Sequence, residues 1–86
     1  MKIELSIVMP CLNEIETIEI CISKAQQFMQ THNITGEVII GDNGSTDGSI
    51  EKALSLGAVV VNVQEKGYGN ASRGAIEAAK GKYIIT

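Results

Sequence analysis

Short apolar runs and longer amphipathic segments alternate along the whole chain. The first run, residues 3–9, is nearly continuous in its hydrophobicity, which is typical of a strand buried on both faces. Pro10 breaks this run, and polar or glycine-bearing turns bound the later ones. The pattern predicts four strands, at residues 3–9, 37–41, 58–63 and 82–86.

Three helices are predicted between these strands. In the first, apolar residues recur every three or four positions along one face, which is the period of an amphipathic helix. Asn13 is the expected N-cap, and Glu16 stands three residues later, in the capping-box position. A second helix, at 49–56, should be capped by Ser45 or Thr46 and end at Gly57. The third is expected at 70–80. The apolar face of the first helix consists of Ile15, Ile18, Ile22, Ala25 and Met29.

This alternation with short loops predicts an α/β fold, a Rossmann-like parallel sheet with helices on both faces. Right-handed crossovers place the first two helices on one face, and the third crosses to the other if strand four lies beside strand one. The expected strand order is therefore 3-2-1-4. Open α/β sheets bind ligands where the order reverses, at the carboxyl ends of the strands. The loops after strands one, two and three should meet there.

Composition narrows the classes of function. The chain has 86 residues, enough for one small domain, with 44% hydrophobic residues and a net charge of −3. That charge argues against nucleic-acid binding, which usually needs a basic surface. Cys11 and Cys21 are expected to be reduced thiols. Without a signal sequence or an apolar run of about 20 residues, the expected location is cytoplasmic.

Several well-known site motifs are missing. The turn after strand one, at 10–14, contains no glycine, so it is not the Gly-x-Gly-x-x-Gly turn of dinucleotide-binding folds. Nor does it offer the glycine-rich, basic loop of a nucleotidyltransferase. No P-loop sequence occurs. His32, the only histidine, is expected at an exposed helix end rather than in a site.

Three segments carry a family resemblance. Residues 6–14 (SIVMPCLNE), 42–49 (DNGSTDGS) and 66–71 (KGYGNA), in this order and spacing, resemble family-2 glycosyltransferases with the GT-A fold. The third segment, with residues 79–84, is similar to the branch that glycosylates polyprenyl phosphates. The resemblance implies that residues 1–86 are the N-terminal, nucleotide-sugar-binding part of a GT-A domain, in truncated form.

The resemblance also implies a site for a UDP- or GDP-linked sugar. The pocket for base and ribose would be lined by Pro10, Leu12 and Glu14. Its other side would be closed by Ile40 and Asp42. The Asp42 carboxylate would accept a hydrogen bond from the base, and Lys66 and Arg73 would lie near the diphosphate. Gly67 and Gly69 would allow close approach of the backbone.

Each of these residues also has a purely structural interpretation. Asp42 could cap a turn, and Glu14 could interact with the dipole of the helix that follows it. Pro10 could simply end the first strand, and the two basic residues could be solvated. Asn43 departs from the family pattern, because many relatives carry a second Asp there. The loss of that charge leaves the base unassigned.

The metal of the family is not expected in these residues. In relatives, an Asp-x-Asp motif after strand four holds Mg²⁺ or Mn²⁺ against the diphosphate, and this sequence ends at Thr86 without one. The lipid phosphate acceptor would also bind downstream. We therefore expect the chain alone to be inactive, and to self-associate through strand four or a bare helix face. The alternative function is a stand-alone nucleotide-binding or interaction module without catalysis.

Overall fold

Seven elements alternate along the chain, and the computed structural model describes residues 2–86. The strands are β1 (Leu5–Cys11), β2 (Gly36–Asp42), β3 (Val59–Asn62) and β4 (Tyr83–Ile85). The helices are α1 (Ile15–Thr31), α2 (Ser49–Ser55) and α3 (Tyr68–Ala78). All paired strands are parallel and their order is β3-β2-β1-β4, so the predicted α/β fold, strand order and direction are confirmed.

The sheet is covered on both faces, as predicted. Val38 and Ile40 belong to the larger hydrophobic cluster, which joins the sheet to α1 and α2. Ile39, between them in β2, packs instead with Ala75 of α3 on the opposite face. This alternation follows from the two-residue period of a strand, which sends neighbouring side chains to opposite faces. All five predicted apolar positions of α1 are buried or half-buried.

Helix α3 lies unusually close to β2. A Cβ atom placed on Gly41 would lie 2.0 Å from the carbonyl oxygen of Ala71 and 3.3 Å from the Cβ of Ala75. Ala71 and Ala75 are themselves fully buried. The run of small residues in α3 is therefore a packing surface, and it requires glycine at the facing strand position.

The end of β1 differs from the prediction. The strand continues through Pro10 to Cys11, so the interpretation of Pro10 as its terminator is wrong. Proline is tolerated there because β4 pairs only with residues Leu5, Ser6 and Ile7. At Pro10 the strand has β2 on one side and no neighbour on the other, so the missing N–H breaks no ladder on the open side. The other strand and helix ends differ from prediction by at most two residues.

The helix caps also differ. Asn13 adopts a left-handed conformation (φ 53°), and Glu14 is the N-cap of α1 without any side-chain cap hydrogen bond, so the predicted capping box is wrong. Gly48 (φ 98°) is the N-cap of α2, in place of Ser45 or Thr46. Gly57 follows α2 with φ 87°, which confirms the predicted glycine stop.

Candidate functional site

Three loops meet at the carboxyl edge of the sheet. The backbone N–H of Asn43 donates to the carbonyl of Cys11 at 3.0 Å, which joins the loop after β2 to the end of β1. The N–H of Val63 donates to the carbonyl of Asp42 at 2.8 Å, which joins the loop after β3 to the end of β2. The segments that the sequence singled out therefore form one continuous rim across the carboxyl ends of β1, β2 and β3.

Asp42 organises the loop that follows it. Its side chain is fully buried. One carboxylate oxygen accepts hydrogen bonds from the N–H groups of Gly44 (2.9 Å) and Ser45 (2.8 Å), and the other accepts from the Ser45 hydroxyl (2.6 Å). Burial raises the pKa of this carboxyl, but the hydrogen bonds from Ser45 and Gly44 outweigh burial and leave the pKa below its ordinary value. Asp42 is therefore a charged, hydrogen-bonded anchor.

The same loop also caps α1 from across the rim. Three of its side chains accept hydrogen bonds from three successive backbone N–H groups that lead into α1; the last two belong to the N-cap and the first helical residue, which a helix leaves without internal partners. The pKa of the Asp47 carboxyl lies below its ordinary value, chiefly because the Ser49 hydroxyl donates to it. These bonds run from Asn13 to Ser45 (2.8 Å), from Glu14 to Ser49 (2.9 Å) and from Ile15 to Asp47 (3.0 Å).

Tyr68, the first residue of α3, reaches over the rim to Glu14. Its hydroxyl donates to a carboxylate oxygen of Glu14 at 3.1 Å. This hydrogen bond raises the pKa of the Tyr68 phenol, because ionisation would place two negative charges side by side. Tyr68 also lines, with Leu12, Asn43 and Gly67, an open cavity of about 290 Å³.

Lys66 and Asp42 line one cavity on the rim. The cavity holds about 390 Å³, and its wall is formed by the loops after β2 and β3. The Lys66 ammonium group lies at the edge of this cavity, because its Nζ donates to the Asn43 carbonyl at 2.7 Å. A cation and a buried carboxylate therefore lie together at the carboxyl edge of the sheet, beside the ends of β2 and β3.

The other predicted site residues lie elsewhere. Ile40 is buried in the larger core cluster, with 1% of its surface exposed. Pro10 lines a mostly apolar groove of about 380 Å³ that runs beside α1 to Thr86, and Glu14 of the rim forms one part of its wall. Arg73 lines a separate cavity of about 350 Å³ between α3 and the residues that follow β3. The structure thus brings Leu12, Glu14, Asp42 and Lys66 to the rim, whereas the binding roles of all seven residues stay predictions.

A metal centre is not formed within residues 2–86. No group of three or more His, Cys, Asp or Glu side chains in this range lies close enough together to hold an ion. Both cysteines are free, Cys11 buried and Cys21 exposed. No helix in this range combines the length and the apolar character needed to span a bilayer.

Comparison with known families identifies the chain. The sequence profile described as "Glycosyl transferase family 2" matches residues 6–86. The chain belongs to glycosyl transferase family 2. The family predicted from the three segments is therefore confirmed.

Two curated proteins are similar to the chain in sequence. The chain is 42% identical over 80 residues to the low-salt glycan biosynthesis hexosyltransferase Agl6 of Haloferax volcanii, and the match covers 93% of the chain and 19% of that protein. It is 33% identical over 69 residues to Protein RfbJ of Shigella flexneri, covering 80% of the chain and 50% of that protein. The chain thus spans between a fifth and a half of the length of these relatives.

Solved structures confirm the GT-A fold of this family-2 chain. Glucosyl-3-phosphoglycerate synthase from Mycobacterium tuberculosis, in complex with phosphoglyceric acid, superimposes with a TM-score of 0.77 at 30% identity, over 94% of the chain and 31% of that enzyme. The same enzyme in complex with Mn²⁺, UDP and glucosyl-3-phosphoglycerate gives a TM-score of 0.75 at 31% identity, over 95% of the chain and 32% of the enzyme.

Sequence reasoning missed the residues that hold this glycosyl transferase rim together. From the sequence, Asn43 stands out only as a departure from the family pattern, and Tyr68 only as a member of the segment 66–71. The signal that could have indicated the loop is the alternation of small polar side chains at 45, 47 and 49, directly after a buried strand. Such residues form local hydrogen bonds readily, and here they reach the next loop instead.

Proposed function

We propose that this family-2 chain binds the nucleoside diphosphate part of a UDP- or GDP-linked sugar at the rim, and that the whole protein transfers the hexosyl group to a polyprenyl phosphate. The observation that carries the proposal is the shared cavity of Asp42 and Lys66 at the carboxyl edge of the sheet. A similar solved enzyme contains UDP and Mn²⁺, and a curated relative is a hexosyltransferase, which supports the same class of donor.

The rim offers a partner for each part of such a donor. The ammonium of Lys66 can pair with a phosphate oxygen, because its present partner is a single neutral carbonyl. Leu12 is exposed and can cover one face of a base, while Glu14 can accept hydrogen bonds from ribose hydroxyls. Asp42 would accept from the ring N–H of the base only if a loop donor moved aside, since its oxygens already have three partners.

The acceptor and the metal are the more distant parts of the proposal. The polyprenyl phosphate acceptor rests on the resemblance of residues 66–71 and 79–84 to one branch of the family. A Mg²⁺ or Mn²⁺ ion in the whole enzyme would need ligands from other residues, since no cluster in 2–86 fits one. No metal-assisted step is therefore assigned to this chain, and we expect no hexosyl transfer by residues 1–86 alone.

Titration with UDP and GDP, followed through backbone amide signals, tests donor binding. We expect the largest shifts at Asp42, Gly44 and Lys66. Lys66→Met should weaken binding by roughly tenfold or more, because a charge-assisted hydrogen bond contributes about 1.5–3 kcal/mol. Lys24→Met removes the same charge from the exposed side of α1 and should leave binding unchanged. Shifts confined to other parts of the chain would contradict the proposal.

Self-association through β4 belongs to the same proposal. This edge strand pairs only with β1, and Tyr83, Ile84 and Ile85 are all exposed. A short, apolar edge with unused backbone groups is a template for another strand. Sedimentation of the chain at increasing concentration should show a dimer that Ile85→Lys abolishes, and a monomer at all concentrations would refute this part.

A further inference from the structure

Asn43 joins all three loops of the rim. It follows β2 directly, and only 3% of its surface is exposed. Its backbone N–H continues the pairing between β1 and β2 by donating to Cys11. Every polar atom of its side chain has a partner in the segment 63–67, on the third loop.

The donors and the acceptor of the Asn43 amide are complementary to backbone groups of the segment 63–67. Its NH₂ group donates to the carbonyls of Val63 (3.1 Å) and Glu65 (3.0 Å), and its oxygen accepts from the N–H of Gly67 (3.2 Å). A carboxylate of the same size has no donor, so it would place an oxygen against two carbonyl oxygens. The course of the segment therefore depends on an amide at position 43, and the departure from the family pattern has a structural reason.

This arrangement determines where Lys66 lies. Its sequence neighbours Glu65 and Gly67 are both hydrogen-bonded to the Asn43 side chain. The Lys66 ammonium itself donates to the Asn43 backbone carbonyl. The Nζ atom lies 3.3 Å from where a Cβ of Gly44 would be, directly over the loop that Asp42 organises. Loss of the amide would release the segment and the cation together.

We propose that Asn43 is a positioning residue that folds the segment 63–67 and thereby places the Lys66 ammonium where the diphosphate of the donor binds. This inference rests on the proposed function, since it needs a nucleotide on the rim. Asn43 acts through Lys66 and has no direct contact with the phosphate in this arrangement.

A double-mutant cycle on UDP affinity tests the inference. Asn43→Asp and Lys66→Met should each weaken UDP binding by roughly tenfold. The double variant should bind UDP no more than about threefold more weakly than either single variant, because both changes remove the same interaction. Asn33→Asp adds the same charge at an exposed site after α1 and should leave affinity unchanged. Losses that multiply to about a hundredfold would overturn the inference.

Hydrogen exchange gives a second measurement that does not need the ligand. The Gly67 amide, which donates to Asn43, should lose its protection in Asn43→Asp and keep it in Asn33→Asp. Unchanged protection of Gly67 in a folded Asn43→Asp chain would overturn the inference. If that variant does not fold, Asn43→Ser, which keeps one donor and adds no charge, enters the same cycle with the same expected coupling.

The two proposals fail in distinguishable ways. If the unaltered chain binds neither UDP nor GDP, the proposed function is refuted, and the inference is refuted with it. If the unaltered chain binds UDP but the two substitutions act independently, only the role of Asn43 is refuted.

Discussion

Replacing Gly41 by alanine tests how closely α3 approaches the sheet. The added Cβ would lie 2.0 Å from the carbonyl oxygen of Ala71 and 2.8 Å from its carbonyl carbon. Both atoms belong to the backbone of α3, so no side chain can rotate away to make room. The helix must withdraw by roughly 1 Å to restore an ordinary contact, and tight packing transmits such shifts.

The expected cost is a large part of the stability of this chain. Overpacking a well-packed site destabilises a protein by about 1–3 kcal/mol, against a total of about 5–10 kcal/mol for a small domain. At about 4–8 °C per kcal/mol for a chain of this size, the melting temperature should fall by roughly 4–24 °C. Thermal and urea unfolding followed by circular dichroism would measure both quantities.

Gly69→Ala is the matched control. Gly69 lies in the first turn of α3, and a Cβ there would meet nothing within 4 Å. Because alanine is the better helix former, this variant should gain about 0.5–1 kcal/mol. If Gly41→Ala melted at or above the temperature of Gly69→Ala, α3 could not be seated on β2 as described.

Three further predictions concern the rim. Asp42→Asn should destabilise the chain above pH 3.8, the ordinary carboxyl pKa. The pKa of Asp42 in the folded chain is lower than this value. The stability that its carboxylate contributes is therefore complete above pH 3.8 and is lost as the pH falls through the folded-state pKa. Ser49→Ala should cost about 1–3 kcal/mol in urea unfolding, because it leaves the N–H of Glu14 without its acceptor. In a Tyr83→Phe background, Tyr68 should ionise above pH 10.0 in an absorbance titration, and Glu14→Gln should lower that midpoint.

Each of these predictions has an outcome that contradicts it. Equal acid unfolding of the unaltered chain and Asp42→Asn would show that the carboxylate contributes nothing. Ser55→Ala removes a hydroxyl that is hydrogen-bonded only within its own helix. If this variant lost as much unfolding free energy as Ser49→Ala, the hydrogen bond between the loops would contribute no more to stability than one within a helix. An unshifted Tyr68 titration in Glu14→Gln would exclude their hydrogen bond in solution.

Local patterns predicted the fold well, because they follow from physics within a few residues. The apolar spacing of α1 and the apolar run of β2 are burial patterns, and short crossovers leave few topologies for a parallel sheet. Gly57 ended α2 as expected, since a left-handed residue is the usual helix stop. Pro10 was misjudged because its tolerance depends on how far β4 extends along β1.

The contacts of the candidate site could not be predicted in the same way. Asn13 was expected to cap its own helix, yet its side chain accepts from the N–H of Thr46, 33 positions away. Ser49 was expected only to begin α2, yet its hydroxyl accepts from Glu14. Hydrogen bonds between loops depend on the final separation of the strands, and no local spacing in the sequence encodes that distance. The convergence of the loops was predictable from topology, but the pairs were not.

The parallel pairing has a consequence for the order of assembly. Within residues 2–86, no two neighbouring strands are joined by a tight turn, so no hairpin can start folding there, and every pair must first close a long crossover loop. The pair of β1 and β4 joins Leu5 to Tyr83, nearly the whole chain apart, through only three residue pairs. We therefore expect β4 to be the last strand to dock during refolding and the first to detach, while β1 and β2 form the lasting nucleus.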